Sequence, residues 1–221
     1  MKSTLYLKFA LLYIVFGFLS LFTTSILGQQ LLLNQLENNA SQSLYKEANV
    51  MATTYLPSYF SNNMTSWSVH SQLSAMKIYL EATLWFVEED GTLITSSNLG
   101  TATAPAMIED FDPAEIGNSQ YIVGRYHGYF DEDVITIMAP VIQGFQTEGY
   151  LLIHKPVSTL EETCTQLMTT VHIILGAVYV LAFLILIGFH FFVFLPLRKI
   201  TEAATQYASG NLDYEIPVYT Q

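Results

Sequence analysis

Charged residues are scarce in this chain, at 12% of 221 residues, against a usual share of about 25%. Cysteine is scarcer still: Cys164 stands alone, which excludes an internal disulfide framework and any zinc site built on paired thiolates. Basic residues number eight against 19 acidic ones, and the net charge of −11 disfavours nucleic acid as a partner. No Gly-rich phosphate loop, zinc-ligand spacing or Ser/His/Asp set is visible, nor are the phosphoacceptor and ATP-binding segments of a kinase. The residues therefore call for no cofactor and read as non-enzymatic.

The missing charge is concentrated in two places. Residues 9–36 carry none, and neither do residues 163–197. About 20 apolar residues cross the hydrocarbon of a bilayer, so both runs are long enough, with spans expected at 9–27 and 171–195. The first reads as an uncleaved anchor. Its apolar stretch exceeds the roughly 7–15 residues of a signal-peptide core, and no Ala-x-Ala-like cleavage site follows it.

Lys2 and Lys8 precede the first span, and Arg198 and Lys199 follow the second. Clustered basic residues stay cytoplasmic, so both termini are expected inside, residues 1–8 as a short cytoplasmic arm and residues 28–170 outside. That outer segment holds 16 of the 19 acidic residues and four of the eight basic ones, for a net charge of −12. It is long enough for one domain with a real core.

Within it, Leu33, Leu36, Ala40, Leu44, Ala48, Met51 and Tyr55 recur at helical steps, up to Pro57. Val69, Leu73, Met76 and Leu80 signal a second helix. Five strands follow, at 83–88, 93–96, 121–130, 133–142 and 149–155, with turns at Glu89-Asp90-Gly91, at Asp131-Glu132 and over 143–147. Helices followed by strands with tight hairpins indicate an α+β fold, an antiparallel sheet carrying its helices on one face. After Pro156 a helix is expected to feed the second span.

The run Ala82 to Ile94, an apolar strand entering an Asp-Gly turn, resembles extracytoplasmic PAS-like (Cache/PDC) sensor domains. Ile135-Thr136-Ile137-Met138-Ala139-Pro140-Val141 and Gly149-Tyr150-Leu151-Leu152-Ile153 resemble their last two strands. The tail, Pro196-Leu197-Arg198-Lys199-Ile200 with Ala203, Ala204, Tyr207 and Ala208, then Gly210-Asn211-Leu212 and Ile216-Pro217, resembles the first helix and glycine exit of a HAMP linker, here partial at 196–221. Its chemistry agrees: Pro196 suits a first helical turn, Ile200, Ala204 and Tyr207 form a narrow coiled-coil seam, and Gly210 suits a helix end.

The resemblance implies the input half of a bacterial sensor histidine kinase in the cytoplasmic membrane. It implies a parallel homodimer, a small-molecule or ionic extracytoplasmic ligand, and a response regulator reached through a kinase core outside these residues. A chemoreceptor and a cyclic-dinucleotide enzyme share this input half. A membrane-anchored binding protein without signalling is the remaining alternative, and a coiled-coil seam after the membrane argues against it.

The ligand site is expected on a sheet face. A tight hairpin would set Arg125 opposite Met138, His127 opposite Thr136 and Tyr129 opposite Val134, mixing cation, imidazole and hydroxyl as a small-molecule pocket does. Tyr126 and Phe130 then fall on the opposite face, against the helices. Trp85 and Tyr150 are candidate walls. The same pattern also suits a solvated face, and the acidic groups 88–90, 109–115 and 131–133 suit solvated turns as well as a cation. Cys164 lies ten helical turns before Ile200 at about 3.6 residues per turn, which would put both on one face of a straight helix.

Orientation is the most accessible of these expectations. In a Cys164→Ser background, Ser119→Cys should react with an impermeant thiol reagent in intact cells or spheroplasts, and Ser209→Cys only after the membrane is opened. The reverse pattern would invert the topology.

Overall fold

The computed structural model describes residues 4–98, 105–116 and 121–211. It divides into two compact units, one of residues 29–166 and one that combines the first 28 residues with everything from Leu167.

In the first unit, helix α2 (Gln29–Thr54) presents Leu44, Ala48 and Met51 as a buried stripe and stops ahead of Pro57, whose ring cannot continue a helix interior. Pro57 instead opens a single turn, α3 (Pro57–Phe60). Helix α4 (Ser66–Leu80) starts at Thr65, whose hydroxyl accepts a hydrogen bond from the Ser68 amide at 3.3 Å, the ordinary N-cap arrangement.

Strands β1 (Thr83–Glu88), β2 (Leu93–Ser96), β3 (Ile122–Gly124), β4 (Val134–Gln143) and β5 (Gln146–Pro156) form one antiparallel sheet in the order β2-β1-β5-β4-β3. This is the α+β architecture expected, an antiparallel sheet with α2 and α4 on one face. On that side Leu84, Phe86, Ile135, Ile137, Ala139, Leu151 and Ile153 pack against the helices in one core. Alternate residues point the other way. Trp85, Val87, Val134, Met138 and Leu152 build a second core with Ile108, Ile116 and Tyr126 from the loops. The sheet is therefore buried on both faces. β1 and β5 approach so closely that a Cβ on Gly149 would lie 2.3 Å from the Val87 carbonyl oxygen, a spacing that only glycine allows.

Two hairpins depart from expectation. β4 lies one residue later than expected and β5 begins earlier than expected, at Gln146, so the two meet at Gly144 and Phe145, with φ of 59° and 74°, the two-residue turn whose twist matches the strands. β3 is much shorter, ending at Gly124. Tyr126, His127 and Gly128 take φ of 34°, 51° and 77°, and three successive left-handed residues cannot extend a strand. The register is accordingly Ile122↔Thr136, Val123↔Ile135 and Gly124↔Val134. Residues 125–133 form a loop, so Arg125, His127 and Tyr129 have no strand partners.

The second unit holds helix α1 (Thr4–Thr23), which passes through a π-helical turn at Thr24–Gly28, and the larger part of helix α5 (Val157–Phe189), which passes through another at His190–Phe194 before α6 (Leu195–Ala208). Two helical segments, Lys8–Phe60 and Val157–Ala208, are long and apolar enough to cross a membrane. They touch through polar groups: Ser25 Oγ lies 2.8 Å from His172 Nε2, and the Tyr13 hydroxyl donates to the Tyr179 carbonyl.

The ten-turn phase relation between Cys164 and Ile200 does not hold, because the π turn at His190–Phe194 lies between them and adds a residue to its turn. Cys164 is buried, its Sγ 3.7 Å from the Gln29 carbonyl oxygen of the same chain.

Candidate functional site

The second core contains a histidine. His154 lies on β5, the central strand, directly opposite Thr83 on one side and Thr136 on the other. Strand alternation sends Ile153 to the helices and His154 to the far face, where it is fully buried. Its Nδ1 is 2.9 Å from Thr136 Oγ1.

Aromatic rings surround the imidazole. The centroids of Trp85, Tyr126 and Phe130 lie 4.4, 4.8 and 4.8 Å from it. Phe130 also stacks on Trp85, with centroids 5.4 Å apart and planes 19° from parallel. Tyr129 meets Trp85 edge-on at 5.8 Å. Trp85 comes from β1, while the other three rings come from the loop 125–133. Tyr126 and His127 hold left-handed φ there, a conformation that costs a non-glycine residue about 1–3 kcal/mol and gathers at binding sites.

Three buried polar atoms of this cage have no hydrogen-bond partner among the described residues: Trp85 Nε1, the Tyr126 hydroxyl and His154 Nε2. Each such group costs about 1–3 kcal/mol relative to a satisfied one, and native interiors hold only a few of them per 100 residues, so three on one cluster of rings call for a reason. Burial pushes the His154 pKa down to about 3, so the imidazole is neutral. Burial raises the Tyr126 phenol, with Glu115 and Tyr129 adding to the shift. The cage thus offers one fixed donor, one hydroxyl and one neutral imidazole nitrogen, in apolar walls.

The residues singled out in the sequence are distributed around this cage. Trp85 is inside it and Tyr129 borders it, the Tyr129 hydroxyl accepting from the Glu109 amide at 3.1 Å. Arg125 is exposed at the start of the loop, where its carbonyl accepts from the Gly128 and Phe130 amides. His127 is exposed and sits 3.0 Å from Glu115. Tyr150 is half-buried in the same core, edge-on to Phe111 at 5.6 Å.

Tyr126 and Phe130, expected against the helices, lie on the opposite face with Trp85, because the loop leaves the strand at Gly124 and folds back over the sheet. His154 was not singled out, yet its parity was readable: it shares the alternation of Tyr150 and Leu152, on a strand with two buried faces.

In the second unit, Pro196 occupies the first turn of α6. Ile200, Ala204 and Tyr207 are exposed, whereas Ala203 is buried. Gly210, at φ +91°, donates to the Tyr207 carbonyl, and the Asn211 amide donates to Gln206, the paired bonds of a glycine-terminated helix. Leu212, Ile216 and Pro217 lie outside the described residues.

No family model matches the chain, and no curated protein matches it. Among the solved structures that match, the sensor domain of the V. cholerae histidine kinase DctB is 15% identical with a TM-score of 0.43, over 63% of this chain and 59% of that one. The sensory domain of the Campylobacter jejuni chemoreceptor Tlp3 (CcmL) is 16% identical with a TM-score of 0.36, over 66% of each chain. The chain spans less than two thirds of the length of either.

The burial of His154 has a pH signature. An unfolded histidine takes its proton near 6.5, the folded one only near 3. Between those values the unfolded state binds more protons, so stability is full above 6.5 and falls as pH falls, by up to roughly 1.4 kcal/mol per pH unit. Denaturation of the full chain from pH 7.5 to 4 should show this loss, and His154→Gln should remove that share of it. An identical pH dependence in the two proteins would contradict a buried neutral imidazole.

Proposed function

We propose that the chain is the signal-input half of a transmembrane sensor histidine kinase. Residues 28–170 form the extracytoplasmic sensor, the segments 9–27 and 171–195 cross the bacterial cytoplasmic membrane with both termini inside, and residues 196–221 begin a HAMP linker. The observation that carries the sensory reading is the cage: three unsatisfied polar atoms buried beside a strained loop on the sheet face opposite the helices. A folded domain keeps such a defect where a ligand is to meet it.

The path out of the cage is short. His154 lies three residues before Val157, the first residue of α5. The Val157 amide donates to the Asp133 carbonyl at 2.9 Å, and Asp133 is the last residue of the loop that carries Tyr126, Tyr129 and Phe130. A ligand that moves the loop therefore acts on the start of the helix that contains the second span. Arg125 and His127, exposed on the same loop, are placed to meet a ligand on its way in. Downstream, the exposed Ile200, Ala204 and Tyr207 of α6 supply the seam of a parallel homodimer, through which a kinase core would reach its response regulator. A chemoreceptor or cyclic-dinucleotide output would use the same input half.

Fusing the chain at Asn211 to a HAMP-kinase core tests the reading. In correctly inserted fusions, Trp85→Ala, Tyr126→Phe and His154→Gln should shift autophosphorylation by about fivefold or more. Kinase activity indifferent to all three would rule out signal input from this site.

A further inference from the structure

Phe130 is the odd member of the cage. It is the ring that stacks on Trp85, and it also lies 4.8 Å from the His154 imidazole, yet it is pure hydrocarbon amid three polar atoms that lack partners. It is only half-buried, and the loop that carries it is held at its neck by the Phe130 amide donating to the Arg125 carbonyl at 3.3 Å. The ring fills the space over the indole face without meeting any of the hydrogen-bonding demand around it.

Resting on the reading of the cage as the ligand site, we propose that Phe130 is a built-in plug, and that the ligand is an uncharged, planar single-ring heteroaromatic compound that displaces it. Planarity follows from the near-parallel stack on Trp85, a surface suited to a flat π-system. Size follows from the plug, one six-membered ring.

The hydrogen-bonding pattern follows from the orphaned atoms. Trp85 Nε1 can only donate, so the ligand must accept. The Tyr126 hydroxyl and His154 Nε2 can serve a second acceptor or a neighbouring donor. Neutrality follows from what surrounds them. Among the described residues, no formally charged side chain lies inside the cage: Arg125 is exposed, His154 is neutral, and the one carboxylate felt by the Tyr126 hydroxyl, Glu115, sits at the rim paired with His127. An ion taken there would lose its hydration with no buried countercharge, at a cost of several kcal/mol.

The plug also sets the affinity. When the open form is a minor population of about 0.1–10%, the apparent affinity falls by that fraction.

The test uses the full chain in lipid nanodiscs with Trp67→Phe, which leaves Trp85 as the sole tryptophan. Three probes of similar size separate the requirements: nicotinamide (planar, neutral), nicotinate (planar, anionic) and cyclohexanecarboxamide (neutral, not planar). Nicotinamide should change Trp85 emission saturably, with the other two at least about tenfold weaker. Phe130→Ala should tighten nicotinamide by about tenfold or more, and Tyr126→Phe added to it should weaken binding by roughly fivefold.

Nicotinate binding as tightly as nicotinamide, or affinity unchanged in Phe130→Ala, overturns the proposal while leaving the cage a ligand site. No saturable response to any probe in either background, with circular dichroism showing the chain folded, overturns it too. The kinase fusions then report separately whether the cage is coupled to output.

Discussion

A strand buried on both faces has no solvent side on which to place a polar residue, and this constraint organises the unit of residues 29–166. β5 is central, flanked by β1 and β4, with helices below and loops above. Its alternation sends Leu151 and Ile153 to the helices and Leu152 and His154 upward. A histidine there must be neutral and must find partners on its own face. It finds one, the Thr136 hydroxyl across the ladder, and three aromatic rings close over the remainder. The second core is thus a polar nucleus in an aromatic shell, with the loop 125–133 as its lid.

Much of the frame was legible from periodicity and punctuation. Strands β1 and β2 lie where alternation and the Asp-Gly turn place them, and α2 ends just before the proline expected to stop it. The two-helix, five-strand order followed from the same signals. The third strand was not legible, because Arg125-Tyr126-His127-Gly128-Tyr129-Phe130 has the aromatic content of a strand and the backbone of a loop. Left-handed tyrosine and histidine are rare enough that composition argues against them. That misreading moved the hairpin register and put Tyr126 and Phe130 on the wrong face, while Trp85 and Tyr129 do lie on the face of the second core. His154 escaped because a lone histidine among leucines is unremarkable until its strand is known to be buried twice.

The site and the exit from the domain share two short connections. Along the chain, β5 passes from His154 through Pro156 into α5. Across space, the end of the loop is tied to the first residue of α5 by the Asp133–Val157 bond. Neither depends on a long chain of side-chain contacts, so a change in the lid has a direct mechanical consequence at the helix start. Cys164, one turn further along than Leu160, is packed against α2, which ties the early part of α5 to the unit of residues 29–166.

The seating of the lid and the start of α5 are coupled through the Asp133–Val157 bond. Hydrogen–deuterium exchange of the full chain in nanodiscs, comparing wild type with Phe130→Ala, measures this directly. Exchange should be faster in Phe130→Ala both in the lid, residues 126–133, and at the first turn of α5, residues 157–160. Faster exchange confined to the lid, with residues 157–160 unchanged, would contradict the coupling.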